Sequence, residues 1–232
     1  DLKKPEIKIT HPDRVLYKKD KITKLDVANY YKSVSTWLLP LVVNRPLSFV
    51  RCPKESGKTC FYQKHLDTTQ LNQLLESEIR NQKVNYIENE EGLLQLAQWG
   101  VLELHCWQTH IEHKDHPDQI VFDFDPDESV PWKQVINGVV RLKEVLDHLK
   151  LKSFLKATGG KGLHVHVPIA PIYTWEETKE FSKTITQLLE NESPNLYTTN
   201  TLKKVRKGKI FLDYLRNGYG ATAIAPYSLR AK

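Results

Sequence analysis

The chain of 232 residues is 40% hydrophobic and 27% charged, enough apolar content for a full core and too little bias for a low-complexity or disordered chain. It holds no run of about 18 apolar residues and no signal-peptide pattern, and a cytosolic protein is expected. Lys and Arg number 34 against 28 Asp and Glu, a net charge of +6 that is compatible with a polyanionic partner.

In chain order, a basic opening over 11–24 leads to a helix expected over 24–39, with Val27, Tyr30, Tyr31 and Val34 at helical spacing and Pro40 ending it. Strands are expected at 47–51 and 60–63, a helix at 68–76, a strand at 84–87, a short helix at 91–99 and a strand at 101–105. A polar loop over 109–119 precedes the apolar, Asp-bearing strand that begins at Ile120. A helix over 132–149 carries Val135, Val139, Leu142, Leu146 and Leu149 as one apolar stripe. Two strands flank Gly159-Gly160-Lys161-Gly162, and a helix over 175–189 runs into a basic loop and a last strand, 210–215, with Phe211, Asp213 and Leu215 on one face. No composition shift marks a domain boundary, so an α+β or α/β fold with mixed sheets and interleaved lobes is expected. Cys52, Cys60 and Cys106 are odd in number and lack C-x-x-C spacing, so they are expected to be reduced and not to bind zinc. Met is absent even at position 1, and the chain stops at Leu229-Arg230-Ala231-Lys232 without an obvious structural terminus, as an excised fragment would.

The segment Ile120-Val121-Phe122-Asp123-Phe124-Asp125-Pro126-Asp127 is the most informative. Residues two apart share a strand face, so Asp123 and Asp125 point one way while Phe122 and Phe124 pack the other. A convergent carboxylate pair needs a cation, donors or water, and hard oxygen ligands suit Mg²⁺ or Mn²⁺. An acidic strand end before a turn is the plain alternative, and a sugar transferase can also use Asp-x-Asp. An EF-hand fits worse, because Glu128 and Gln134 stand where that loop needs Gly and Glu. Asp213 sits in an equally apolar strand and can complete a three-carboxylate site, or pair structurally with Arg216. Lys161 lies in a glycine turn whose N–H groups suit phosphate, although Gly162 and the strand after it rule out a Walker A loop. His164 and His166 alternate with Val165 and Val167 and leave the same face; structural hydrogen bonding and metal binding, zinc included, both remain open for them.

The final segment, Asp213 to Arg230, taken with Glu-Leu-His-Cys-Trp at 103–107, Asp-Phe-Asp-Pro-Asp at 123–127 and Thr-Gly-Gly-Lys-Gly-Leu-His at 158–164, closely resembles the polymerase domain of bacterial multifunctional DNA-repair ligases of the ligase D type and its stand-alone archaeal relatives. These belong to the archaeo-eukaryotic primase superfamily. The resemblance extends to His-Pro-Asp-Arg-Val-Leu-Tyr at 11–17, Thr23-Lys24, Arg45-Pro46 and Phe61-Tyr62, and so covers nearly the whole chain.

The resemblance implies a primase-type fold of two packed mixed-sheet units with flanking helices and the active site in the cleft between them, forming one catalytic domain over 1–232 that lacks the C-terminal segment of its relatives. It implies that Asp123, Asp125 and Asp213 bind two divalent ions, Mn²⁺ favoured over Mg²⁺, for two-metal phosphoryl transfer. Nucleotide contacts are implied for His105, Thr158, Lys161, His164, Arg216 and Arg230, with Thr158 standing where relatives have Ser. DNA contacts are implied for Arg14 and Lys24 at a downstream 5′-phosphate, for Arg51, for Phe61 and Tyr62 as stacking platforms, and for Arg206 in the basic 203–209 loop. His11 replaces a commoner Asn, and Val50 stands where some relatives have Lys. The implied activity is template-directed filling of gaps and ends in non-homologous end joining, with ribonucleotides preferred. Implied partners are gapped DNA bearing a 5′-phosphate, nucleoside triphosphates, Ku and a DNA ligase domain, with no membrane, in a nucleoid-associated cytoplasmic setting. Alternatives are a primase starting chains de novo and a catalytically weak end-binding module that recruits Ku and ligase; an Asp-x-Asp glycosyltransferase leaves the terminal motif unexplained.

Overall fold

The computed structural model describes residues 7–53 and 60–231. In chain order the elements are β1 Val15–Tyr17, β2 Ile22–Thr23, α1 Lys24–Val42, β3 Leu47–Arg51, β4 Phe61–Gln63, β5 Leu75–Ile79, β6 Gln82–Tyr86, α2 Glu90–Gln98, β7 Val101–Cys106, β8 Gln119–Pro126, α3 Trp132–His148, β9 Phe154–Ala157, β10 Leu163–Pro168, α4 Trp175–Glu192, β11 Tyr197–Thr198, β12 Ile210–Asp213 and β13 Ala223–Ile224. No helix among the described residues is long and apolar enough to cross a membrane. The chain forms two compact units: one runs to Trp107 and resumes at Ile224, and the other takes Gln108 to Ala223.

The first unit is built on a sheet of order β13-β7-β3-β6-β5, with β4 paired to β3. Its long helix α1 starts where a capping box allows: Thr23 Oγ1 accepts the Asp26 N–H, and Asp26 Oδ2 accepts the Thr23 N–H at 2.8 Å. Val27, Tyr31, Leu38 and Val42 bury one face of α1 in a core shared with Leu47, Phe49, Leu93, Leu96 and Leu104. Gly100, at φ +77°, turns α2 into β7 at a point where a Cβ would stand 2.9 Å from the Cys52 carbonyl oxygen.

The second unit carries a mixed sheet of order β11-β12-β8-β10-β9, in which β11 and β12 are parallel and the other pairs antiparallel. Strand β8 lies at its centre, and Ile120, Phe122 and Phe124 join Val135, Val139, Leu142 and Leu146 of α3 in the core. That burial fixes the register. With the even-numbered side chains of β8 in the core, Val121, Asp123 and Asp125 must face the other way.

Four local expectations change. Residues 68–76 form turns and then the start of β5, not a helix. The three-residue spacing of Thr68, Leu71 and Leu74 mimics a helical face, but Asn85 Oδ1 accepts the Leu66 N–H at 2.6 Å and Gln95 Oε1 accepts the Gln73 N–H at 2.7 Å, so tertiary partners replace the helical ladder. Helix α1 runs past Pro40 to Val42, because a proline in the last turn removes one N–H while buried Val42 holds the backbone in place. The last strand ends at Asp213, not 215: Asp213 Oδ1 accepts the Leu215 N–H at 2.9 Å and starts a single turn over Leu215–Asn217. Cys52 and Cys60 form a disulfide, against the expectation of reduced thiols. The Arg51↔Phe61 pairing of β3 and β4 sets them opposite one another with Cα atoms 4.2 Å apart, a proximity invisible in a C-x₇-C spacing. Cys106 is free and buried.

Candidate active site

On the face of the second sheet turned away from its core, the registers His164↔Asp123 and Asp213↔Asp123 set a histidine and two carboxylates in a row across β10, β8 and β12. Asp125 follows on the same face of β8, opposite Phe211. Like charges directly opposite on neighbouring strands repel, so Asp123 and Asp213 need a cation between them. Arg216 supplies one, with Nε 3.2 Å from Asp123 Oδ2 and 3.2 Å from Asp213 Oδ2. Its position comes from the next residue: buried Asn217 accepts the Val121 N–H at 2.7 Å and donates to the Val121 carbonyl at 2.9 Å, clamping the turn after β12 onto β8. Arg206 approaches Asp125 Oδ2 at 4.0 Å, and its guanidinium lies 3.5 Å over the Phe211 ring.

Burial pushes Asp123 toward its neutral form, but the His164 imidazole and the Arg216 guanidinium outweigh it and hold the carboxyl below its ordinary value. Asp125 and Asp213 shift the other way. Burial and the Asp123 charge raise both, and the neighbouring arginines only partly offset this. His164 is 4% exposed, and burial lowers its pKa, so at neutral pH it is an uncharged imidazole with Nε2 3.4 Å from Asp123 Oδ1. Its Nδ1 is buried without a hydrogen-bond partner. The face therefore gathers three carboxylates beside the His164 imidazole, with Arg216 and Arg206 offsetting part of their charge. That is the donor chemistry of a hard divalent ion.

The glycine turn approaches this face closely. A Cβ on Gly162 would stand 2.3 Å from the Phe124 carbonyl oxygen and 3.6 Å from Asp123 Oδ1, so only glycine lets the turn lie against β8. Thr158 Oγ1 donates to the Gly162 carbonyl at 2.9 Å and accepts the Gly160 N–H at 3.2 Å, closing the turn. Lys161 is exposed and ion-paired with Glu128, which raises its pKa. His166 bonds Gln119 through Nδ1 at 3.1 Å and stays outside the carboxylate row.

In the first unit, Glu103 is a hub that sequence reasoning left without a role. It is 5% exposed and lies 2.9 Å from His105 Nε2 and 3.4 Å from Arg230 Nη1, and it accepts the Ala231 N–H at 2.8 Å. These donors outweigh its burial and keep it ionised. A charge inside an otherwise apolar strand was the available signal. His105 meets Tyr62 edge to face, with ring centroids 5.6 Å apart. Phe61 and Tyr62 are both exposed on β4.

The same unit holds a cavity of about 360 Å³ lined by His11, Arg14, Lys24, Arg51, Gln70 and Trp99 among others, with no carboxylate among the described residues of its wall. Arg14 Nη1 donates to the Pro53 carbonyl at 3.0 Å, Lys24 Nζ to the Thr10 carbonyl at 2.9 Å, and Arg51 Nε to the Trp99 carbonyl at 2.8 Å. Burial, with a further push from Arg14, lowers the Lys24 pKa to about 8, and burial lowers that of Arg51. Among the described residues, three cations share this pocket and donate to backbone carbonyls, which is the charge balance of an anion site. The structure thus gathers Asp123, Asp125, Asp213, His164, Arg216 and Arg206 at one place and Arg14, Lys24 and Arg51 at another. From its place in the basic loop the Arg206 side chain reaches toward Asp125. Asn217 was missed because its role is a pairing to Val121 that only the fold creates.

Residues 23–232 match the family described as "LigD, primase-polymerase domain". The multifunctional non-homologous end joining protein LigD of Pseudomonas aeruginosa is 34% identical over 230 residues, covering 97% of this chain and 27% of that protein. The bifunctional non-homologous end joining protein LigD of Bacillus subtilis is 32% identical over 227 residues, covering 97% of this chain and 37% of that protein. This chain thus spans well under half the length of either relative. Among solved structures, the polymerase domain of Mycobacterium tuberculosis ligase D in complex with DNA superposes with a TM-score of 0.90 at 29% identity, covering 98% of this chain and 83% of that one.

Proposed function

The chain belongs to the LigD primase-polymerase domain family, and from that premise we propose that it is a template-directed nucleotidyltransferase that fills gaps and ends during non-homologous end joining. The observation that carries this reading is the carboxylate row: Asp123 and Asp213 opposed across two strands, Asp125 beside them, and Arg216 and Arg206 set against them. Asp123, Asp125 and Asp213 would hold the divalent ions, Mn²⁺ or Mg²⁺, which when bound help ionise a primer 3′-hydroxyl and neutralise the leaving pyrophosphate. The residues fit that task, since burial and the Asp123 charge raise the pKa values of two of the carboxylates, a cost that a bound cation would offset.

The chain's own side chains do the rest. Arg216 bridges Asp123 and Asp213 and is the group to be redirected to a triphosphate when stronger cations arrive. His164 orients Asp123 and keeps an unmatched Nδ1 for a ligand. Lys161, on an exposed turn, exchanges Glu128 for phosphate. Thr158 shapes the turn through the Gly162 carbonyl and leaves one lone pair for a sugar or phosphate contact. Glu103 holds His105 and Arg230, the two nucleotide ligands of the first unit. Ribonucleoside triphosphates are the preferred substrates in this reading, and Ku and a ligase module are the partners.

The cationic cavity binds the 5′-phosphate at the far side of a gap, with Arg14 and Lys24 as its charged donors and Arg51 behind them, and Phe61 and Tyr62 stack on bases. A site for a pre-existing DNA end favours gap filling over de novo priming. The test is extension on gapped DNA with and without a 5′-phosphate, with Mn²⁺ or Mg²⁺ and with ribo- or deoxynucleotides, beside a primer-free reaction. Asp123→Ala and Asp125→Ala should abolish extension while DNA binding persists, because ligation serves chemistry and the basic surface serves affinity. Extension at the wild-type rate by either variant would refute the assignment.

A further inference from the structure

We propose that the segment leading into β8 carries a second metal site of a different kind, a zinc-class site formed by His110, His113 and Asp118. Among the described residues these form the group of His, Cys, Asp or Glu side chains that offer one donor atom each with all three atoms within 4.8 Å of one another. His110 Nδ1 lies 2.6 Å from Asp118 Oδ2, and the His110 and His113 rings meet edge to face with centroids 5.4 Å apart.

The backbone around the group is unusually determined. Thr109 is fully buried, and its hydroxyl lies 3.2, 3.0 and 3.0 Å from the carbonyl oxygens of His110, His113 and His116, so the loop is wrapped about one side chain. His113 Nδ1 faces the His116 carbonyl at 3.0 Å, which makes that nitrogen the donor and leaves Nε2 with its lone pair. A ring N–H held by a backbone carbonyl is the usual support behind a metal-bound histidine. The Asp118 N–H donates to the Gln108 carbonyl at 2.9 Å, and the Trp175 indole donates to the Lys114 carbonyl at 3.1 Å, so both ends and the middle of the loop are fixed. Side-chain exposures of 27% for His110 and 15% for Asp118 leave a path for an ion to enter.

Two imidazoles and a carboxylate are zinc donors, with ligand bonds of about 2.0–2.2 Å that bring the donor atoms to roughly 3.4 Å apart. From a spread within 4.8 Å this needs side-chain rotation and no refolding. The catalytic carboxylates offer hard oxygen instead, so the two sites select different ions. A metal here would staple residues 109–118 to the start of β8, the strand that ends in Asp123 and Asp125. The proposal stands independently of the polymerase reading.

Zinc binding to the whole chain, measured by competition with a chromophoric chelator in excess Mg²⁺, tests it. Wild type should take up one equivalent of Zn²⁺, and Asp123→Asn should do the same. His110→Ala and His113→Gln should each weaken binding by more than about 100-fold, beyond the range for losing a partner behind a ligand. Zn²⁺ should raise the thermal unfolding midpoint of wild type and leave both variants unmoved, and the melt shows at once whether either variant has lost its fold. Equal binding by wild type and both variants, absence of binding by wild type, or loss of binding in Asp123→Asn would each overturn the proposal.

Discussion

Raising the pH should separate recognition of a 5′-phosphate from general DNA affinity, and Lys24 is the reason. Its side chain is 4% exposed, its ammonium donates to a neutral carbonyl, and burial followed by the Arg14 charge lowers its pKa from 10.5 to about 8. A bound phosphate dianion would favour the charged form and return the value toward 10.5 or above. The free protein therefore binds one proton fewer than the complex between pH 8 and the complex's own pKa. Affinity is full below pH 8 and falls by about a decade per pH unit above it, roughly 30-fold at pH 9.5 relative to pH 7. Stability of the free protein runs the other way, because its folded pKa is below the unfolded one, so stability should rise with pH across the same window. Fluorescence anisotropy on gapped DNA with and without a 5′-phosphate, at fixed ionic strength, reads the effect. The phosphate-dependent increment should shrink with pH in wild type and stay flat in Lys24→Arg, whose guanidinium does not titrate there. A wild-type increment unchanged to pH 9.5, or the same slope in Lys24→Arg, would show that Lys24 does not hold the phosphate.

Three further outcomes follow from the site's geometry. Asp213→Asn should abolish extension yet raise the thermal midpoint in metal-free buffer, because a carboxyl with a raised folded pKa destabilises the fold at every pH where it is ionised; a lowered midpoint would mark Asp213 as structural. Asn217→Ala leaves the Val121 N–H and carbonyl buried without partners and should cost about 2–5 kcal/mol in urea unfolding, with Arg216 displaced and nucleotide affinity weakened; a cost under about 0.5 kcal/mol would refute the clamp. Gly162→Ala puts a Cβ 2.3 Å from the Phe124 carbonyl oxygen and should cost at least about 1–3 kcal/mol while impairing extension; wild-type stability would mean that the turn moves freely.

Much of the site was legible in the sequence because strands have a period of two. Alternation along 120–125 assigned Phe122 and Phe124 to the core and Asp123 and Asp125 to the other face, and both phenylalanines lie in the core of the second unit. The apolar stripe of α3 was read for the same reason, its period being helical. Expectations failed where a local pattern met a nonlocal partner. The 68–76 segment had helical spacing, but its Gln73 N–H found Gln95, and the Leu66 N–H just before it found Asn85. The Cys52–Cys60 disulfide depends on the register of β3 and β4.

The sequence by itself determined which residue types are present, which strand faces they take and which helices bury which stripe, since these follow from backbone periodicity and solvent exclusion over a few residues. Tertiary structure alone decided how those faces combine. Strand order set Asp213 and His164 on either side of Asp123, a turn clamped by Asn217 set Arg216 between two carboxylates, and β1 to α1 folded against α2 to gather Arg14, Lys24 and Arg51 around one cavity. Charges separated by tens of residues interact only through such convergence, because Coulomb energy depends on distance and burial in space, and neither can be read from position in the chain.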